Sequence, residues 1–197
     1  MSRRRGYCWL VALTAFSCVR PPLLAPSPAG IRAIAVNNRT GDPLLVAGAS
    51  FFENYVVRTD RITVPDVLAA EARFQLARRG FAVSAPEAVA AATGDHPPAN
   101  PQEAAAVAAR NNFDASVLYI DLRRWEADAP FRPQFVIVSL AVLLIEPSTG
   151  QVLWRADHPS RPVPTKGVVS LGDAYTIAAR AVMQEMLTGL GPEQPGP

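Results

Sequence analysis

The spacing of apolar positions divides this chain into a helical first half and a β-rich second half. In the first half the pattern is helical and punctuated by caps. Thr63, Val64, Pro65 and Asp66 form a T-x-x-D capping signal, with proline in the first turn, where its missing N–H removes no helical bond. Val67, Ala70, Phe74 and Ala77 follow at helical spacing on one predicted face, and Gly80 stops the helix. Residues 81–84 (FAVS) predict a short strand. Ser84 and Glu87 repeat the capping pattern around Pro86 and open a short helix, which the Gly/Pro-rich loop 93–100 (TGDHPPAN) breaks. Asn100 caps a further helix that ends at Asn111 and Asn112.

In the second half the period changes to that of strands. Residues 115–125 (ASVLYIDLRRW) place Leu118, Ile120 and Leu122 on one face. Residues 135–145 (FVIVSLAVLLI) are nearly all apolar, which predicts a strand buried on both faces. The turn 146–150 (EPSTG) then leads residues 151–156 (QVLWRA) back as a hairpin, with Trp154 directed into the core. A last helix begins at Ser170 or Asp173 and carries Ile177, Ala178, Ala181 and Val182 on one face, with Glu185 near its centre. Ahead of all these, residues 31–36 (IRAIAV) predict a first strand and residues 37–43 a turn. Residues 44–62 are expected to form a long loop with a short helix. The expected order is β-loop-α-β-α-α-β-β-β-α, an α/β domain with a single mixed β-sheet and helices packed on it.

The first thirty residues have a different character. Arg3, Arg4 and Arg5 precede the apolar run 7–16, which is shorter than the roughly 20 residues a membrane-spanning helix needs. This is the pattern of an export signal. Two cleavage readings remain open. Ala15, Phe16, Ser17 and Cys18 resemble a lipobox, which would leave a lipidated Cys18, and the same stretch also fits ordinary cleavage after Ser17. The expected organisation is a signal peptide at 1–17, a lipid anchor and Pro-rich tether at 18–30, one domain at 31–190, and a disordered tail at 191–197.

Charge and cysteine content narrow the function. Leaving out the three arginines of the export signal takes the formal net charge from +2 to −1, which excludes the electrostatic footprint of a nucleic-acid binder. Cys8 lies in the apolar run and leaves with it, so Cys18 has no intramolecular partner in the mature chain. The two histidines, His96 and His158, make no H-E-x-x-H motif, and there is no Walker A loop, G-x-S-x-G elbow or G-x-G-x-x-G. Asp157 and His158 together, and the trio Asp121, Glu126 and Asp128, are the nearest approaches to chemistry. The first reads as a solvated strand end and the second as an exposed face paired with Arg123 or Arg124. Neither a metal nor a cofactor is expected.

Several stretches together resemble a known group. They are the lipobox at Cys18, the first strand running into residues 37–41 (NNRTG), the Gly80–Phe81 junction, residues 112–118 (NFDASVL) and residues 147–154 (PSTGQVLW). They are similar to segments of periplasmic lipoproteins whose domain resembles the N-terminal domain of TolB, a group that includes the curli-secretion lipoprotein and the lipoprotein activators of penicillin-binding proteins. Glu146 and Pro147 depart from that pattern before the turn, as does the long stretch 44–62. The resemblance implies a TolB N-terminal-like fold. The function it implies is that of a non-enzymatic, lipid-anchored accessory protein, facing the periplasm from the outer membrane and docking to a secretion, transport or cell-wall assembly. The alternatives are a pore-forming secretion subunit, and a soluble periplasmic domain or an enzyme with an unrecognised site. Oligomeric state stays open. The candidate partner contacts are Phe51, Phe52 and Tyr55, large rings in a segment without a clear period, and Arg161 and Lys166 in the connector 161–166 (RPVPTK), which the two prolines are expected to keep out of regular structure.

Overall fold

The structure, a computed structural model, describes residues 31–38, 44–46, 61–94, 97–113 and 115–190, with side chains from residue 63 onward. The export signal, the tether, Cys18, Phe51, Phe52, Tyr55, His96 and the tail 191–197 lie outside the described residues.

Strand β1 (Ile31–Asn38) is followed by two short antiparallel strands, β2 (Leu44–Val46) and β3 (Arg61–Thr63). The two ends of the stretch 44–62 are thus paired strands rather than loop, and residues 47–60, where the expected loop and short helix would lie, are outside the described residues. Three helices come next, α1 (Val64–Arg78), α2 (Pro86–Thr93) and α3 (Pro101–Arg110). Strands β4 (Ser116–Ala127), β5 (Phe135–Ile145) and β6 (Val152–Pro164) then form an antiparallel meander, and helix α4 (Leu171–Met186) follows. The main sheet has the order β1-β4-β5-β6, with β1 parallel to β4 and the other pairs antiparallel. The expected mixed sheet with packed helices is thus observed, but β2 and β3 form a second, two-stranded sheet in place of the expected single one.

The caps explain the helix boundaries. Thr63 and Asp66 close a reciprocal capping box: the Thr63 N–H donates to Asp66 Oδ2 at 3.0 Å, and the Asp66 N–H donates to Thr63 Oγ1. At the other end of α1, Gly80 takes a φ of +85°, its N–H donates to the Ala77 carbonyl and that of Phe81 to the Leu76 carbonyl. These two hydrogen bonds tie Phe81 to the helix end, and the expected strand at 81–84 is absent. Phe81 and Val83 spend their side chains packing on the core beside the helix end, and their backbone joins no ladder. Helix α2 begins at Pro86 with Ala85 as its N-cap, one residue later than the capping pattern at Ser84 predicts, and has no side-chain cap. Asn100 caps α3 as expected, its Oδ1 accepting from the Glu103 N–H at 2.8 Å.

Helices α1 and α4 share one face of the sheet. Leu68, Ala72 and Leu76 of α1 and Ala178, Val182 and Met183 of α4 bury against Leu118, Ile120, Leu122, Val138, Leu140, Val142 and Leu144, with Trp125 and Trp154 closing the cluster. The buried face of α1 is one residue position away from the expected one. Ala70 and Ala77 face solvent and Phe74 is 54% exposed. Both rows have helical spacing, and burial follows the one that carries two leucines. In α4 the same rotation leaves Ile177 and Ala181 outside. Trp154 is 3% exposed, as its position in the hairpin predicts.

Among the described residues, helix covers only part of the opposite face. Ala104, Ala105 and Ala108 of α3 pack on Val117, Tyr119, Ala141, Leu143 and Ile145. Strand β5 is accordingly buried on both faces along its second half, while Phe135, Ile137 and Ser139 stay partly open on this side.

Candidate docking surfaces and the edge strand

The expected connector 161–166 is corrected by the structure: through Pro164 it belongs to β6, which runs far beyond the predicted hairpin arm. Two geometric facts let proline into a strand here. Strand β6 is the edge of the sheet, and the Thr165 N–H donates to the Gln134 carbonyl, so by alternation the backbone of Pro162 and Pro164 points away from β5. No ladder donor is lost. The same prolines leave the outer edge poor in N–H groups, which blunts it against further strand pairing.

Arg161 and Lys166 consequently diverge. Lys166 lies exposed in the turn after the strand, where Gly167 takes a φ of +90°. Arg161 turns toward the helix layer, where its Nε donates to His158 Nε2 at 3.0 Å and its guanidinium pairs with Glu185 of α4. Glu185, which weakens the α4 pattern in the sequence, is the partner that makes this inward arginine tenable.

His158 is not the solvated strand end its surroundings in the sequence suggest. It is 2% exposed, and its Nδ1 sits 3.3 Å from the Val138 carbonyl oxygen. Burial, and then the adjacent Arg161 cation, hold its pKa below the ordinary histidine value. Asp157 points to the other face, where Arg155 binds it through two bonds of 2.6 and 2.7 Å, so the sequence neighbours Asp157 and His158 form no dyad. The Arg155 hydrogen bonds keep the Asp157 pKa below the usual carboxylate value.

The carboxylate trio is likewise divided among structural tasks. Asp121 is buried, at 7% exposure, rather than lying on an open face, and Arg123 pairs with it at 3.0 Å. Glu126 pairs with Arg124, whose hydrogen bond lowers its pKa, and Asp128 Oδ1 accepts from the backbone N–H groups of Gln134 and Phe135. Among the described residues no group of three His, Cys, Asp or Glu side chains could hold a metal ion, and no helix is long and apolar enough to cross a membrane.

One exposed apolar feature escapes the sequence patterns. Phe131 in the β4–β5 loop is 82% exposed, and Val169 in the β6–α4 loop is 63% exposed. The two loops are tied together: the Arg132 N–H donates to the Val169 carbonyl, and Thr165 Oγ1 donates to the Pro133 carbonyl at 3.0 Å. Arg132 holds a φ of +51°, an uncommon conformation for a residue other than glycine. The only sequence signal for this platform is a lone Phe between prolines, at Pro130 and Pro133.

The fold defines a class, the α/β domain whose mixed sheet has a helix pair on one side and a short helix on the other. Comparison with solved structures finds that fold in the PelC dodecamer of Paraburkholderia phytofirmans. One structure of it superposes with a TM-score of 0.52 at 17% sequence identity, covering 87% of this chain and 94% of that one. A second, of a single-substitution variant, gives 0.51 at 16% identity over the same shares. No protein-family profile and no curated protein matches the sequence.

Proposed function

We propose that this chain is a non-enzymatic accessory protein of the bacterial envelope, anchored through lipid on Cys18 and acting by assembly with other proteins. The observation that carries this reading is the likeness, over 87% of the chain, to a protein whose structures are dodecamers. Further support comes from the described site residues, since His158 and the carboxylates Asp121, Glu126, Asp128 and Asp157 are each engaged in holding strands, loops or helices together. The finer assignment, a TolB N-terminal-like domain, is supported by the helix end at Gly80 and the hairpin turn at Gly150, which has a φ of +70°. The alternative of a protomer that adds strands to a barrel is disfavoured at the β6 edge by Pro162 and Pro164.

The topology gives the anchor a direction. Ile31 pairs with Ser116 at the start of β4, so a tether at 18–30 joins the sheet at the end opposite Phe131 and Val169. An anchored domain would then present those two residues, and the exposed Lys166 beside them, away from its membrane. The test has two arms. Labelled palmitate should enter the wild-type protein and not Cys18→Ser, which should move to the soluble periplasmic fraction. Crosslinking in membranes, with size analysis of the purified chain, should capture a multimer or an envelope partner. A monomer that captures nothing, from a strain in which the protein is correctly exported, would overturn the reading.

A further inference from the structure

Between the pairs Leu140↔His158 and Val138↔Arg161 strand β6 gains one residue on β5, so the edge strand carries a bulge at residues 159–160. The two residues that bound the bulge, His158 and Arg161, both engage the inner side of the sheet. A carbonyl oxygen only accepts, so the contact with Val138 puts the imidazole proton on Nδ1 and leaves a lone pair on Nε2. Arg161 Nε donates to that lone pair, and the other end of the guanidinium holds Glu185. A continuous chain therefore runs from a β5 carbonyl through the bulge to α4. The charged groups that act on His158 are Arg161 from its own strand and Glu185 from α4, while β5 contributes the Val138 carbonyl.

We propose that this chain of three side chains is an acid-sensitive latch, in which protonation of His158 frees Arg161 and loosens the outer part of β6, as far as Pro164, from α4 and β5. A proton on Nε2 turns the acceptor into a donor and sets two cations face to face. His158 is fixed in the interior, whereas the Arg161 side chain is 45% exposed and can swing into water. The strand beyond the bulge is vulnerable to that loss, because its prolines leave Arg161, Val163 and Thr165 as the residues that bond to β5. The direction in pH follows from burial. The latched imidazole has a pKa below that of a free one, so in the window beneath about pH 6.5 the released or unfolded chain binds a proton that the latched form does not. The latch is held at neutral pH and weakens as pH falls through that window.

Amide hydrogen exchange on the full chain tests this, corrected for the intrinsic pH dependence of exchange. Between about pH 7.5 and about pH 5, protection at Arg161 and Val163 should fall by about tenfold or more, with protection at Ile120 and Val142 unchanged. His158→Gln, whose amide oxygen can accept from Arg161 without titrating, should abolish the response. If that buried variant does not fold, Glu185→Gln decides instead. Glu185 raises the His158 pKa, so its neutralisation should move the midpoint of the response to lower pH. Protection at Arg161 and Val163 that ignores pH in the wild type, a pH response that survives in His158→Gln, or a midpoint that moves upward in Glu185→Gln would each overturn the proposal.

Discussion

On one side of the sheet α1 and α4 lie together over a continuous apolar floor that runs from Leu118 to Leu144. On the other side, among the described residues, α3 covers one end with three alanines and arginine side chains cross the sheet beside it. Arg123 reaches from β4 over the central strand to Asp157 on β6, at 3.6 Å, and Arg124 reaches Ser160 at 3.4 Å. The crossings are possible because the residues beneath are small. Ala141 stands in register between Asp121 and Asp157, and Ser139 lies opposite Arg124. The first side draws on apolar area removed from water. The second draws on ion pairs in partial contact with solvent, where screening and side-chain entropy leave little net gain. Stability should therefore be concentrated on the helix-pair side, and the arginine-roofed side should tolerate the loss of its charged side chains.

Substitutions at four positions would break or sharpen that contrast. The largest effect is expected at Trp154, where truncation to Ala should cost about 3–5 kcal/mol in denaturant unfolding. Trp154→Phe should cost far less, because the indole N–H has no hydrogen-bond partner to lose. Next comes Ala141→Leu, which places a bulky side chain under the Arg123 crossing in a fully buried position and should cost about 1–3 kcal/mol. Removing the α3 cap with Asn100→Ala should cost about 1 kcal/mol and loosen the exchange of α3 amides ahead of the sheet. The smallest change is expected from Arg155→Ala, under about 1 kcal/mol and shrinking further in high salt. If Arg155→Ala proved as damaging as Trp154→Ala, the two sides would not differ as described.

The strong periodic segments are legible from residues alone, because Leu118, Ile120 and Leu122 in β4, the apolar run of β5 and the turn at Gly150 each fit a strand pattern. The α1 face is not, because an alanine-rich helix offers two rows of equal spacing and only the neighbouring sheet decides between them. Pro162 and Pro164 mislead for a related reason. A proline forbids a strand only where its N–H would have been used, and edge position is a property of the whole sheet. His158 illustrates the limit most clearly for the candidate site. Its neighbours in sequence are Asp157 and Pro159, whereas the groups that set its protonation come from β5, from beyond the bulge and from α4. Phe131 and Val169, far apart in sequence, become one platform only when two loops close on each other.

Strand β1 has no local partner. Its register runs from Ile31 against Ser116 to Asn38 against Leu122, a parallel pairing across the whole helical segment. Contacts so distant along the chain form late, since the intervening loop must close before any bond repays it. The meander of β4, β5 and β6, joined by short connections, can assemble without waiting for β1. A chain delivered N-terminus first would therefore hold its opening strand unpaired until residue 122 had followed it. In pulse-labelling during refolding, β5 amides should gain protection before those of β1. Until then the inward edge of β4 stays open, and that interval is when a chaperone or a second copy could occupy it.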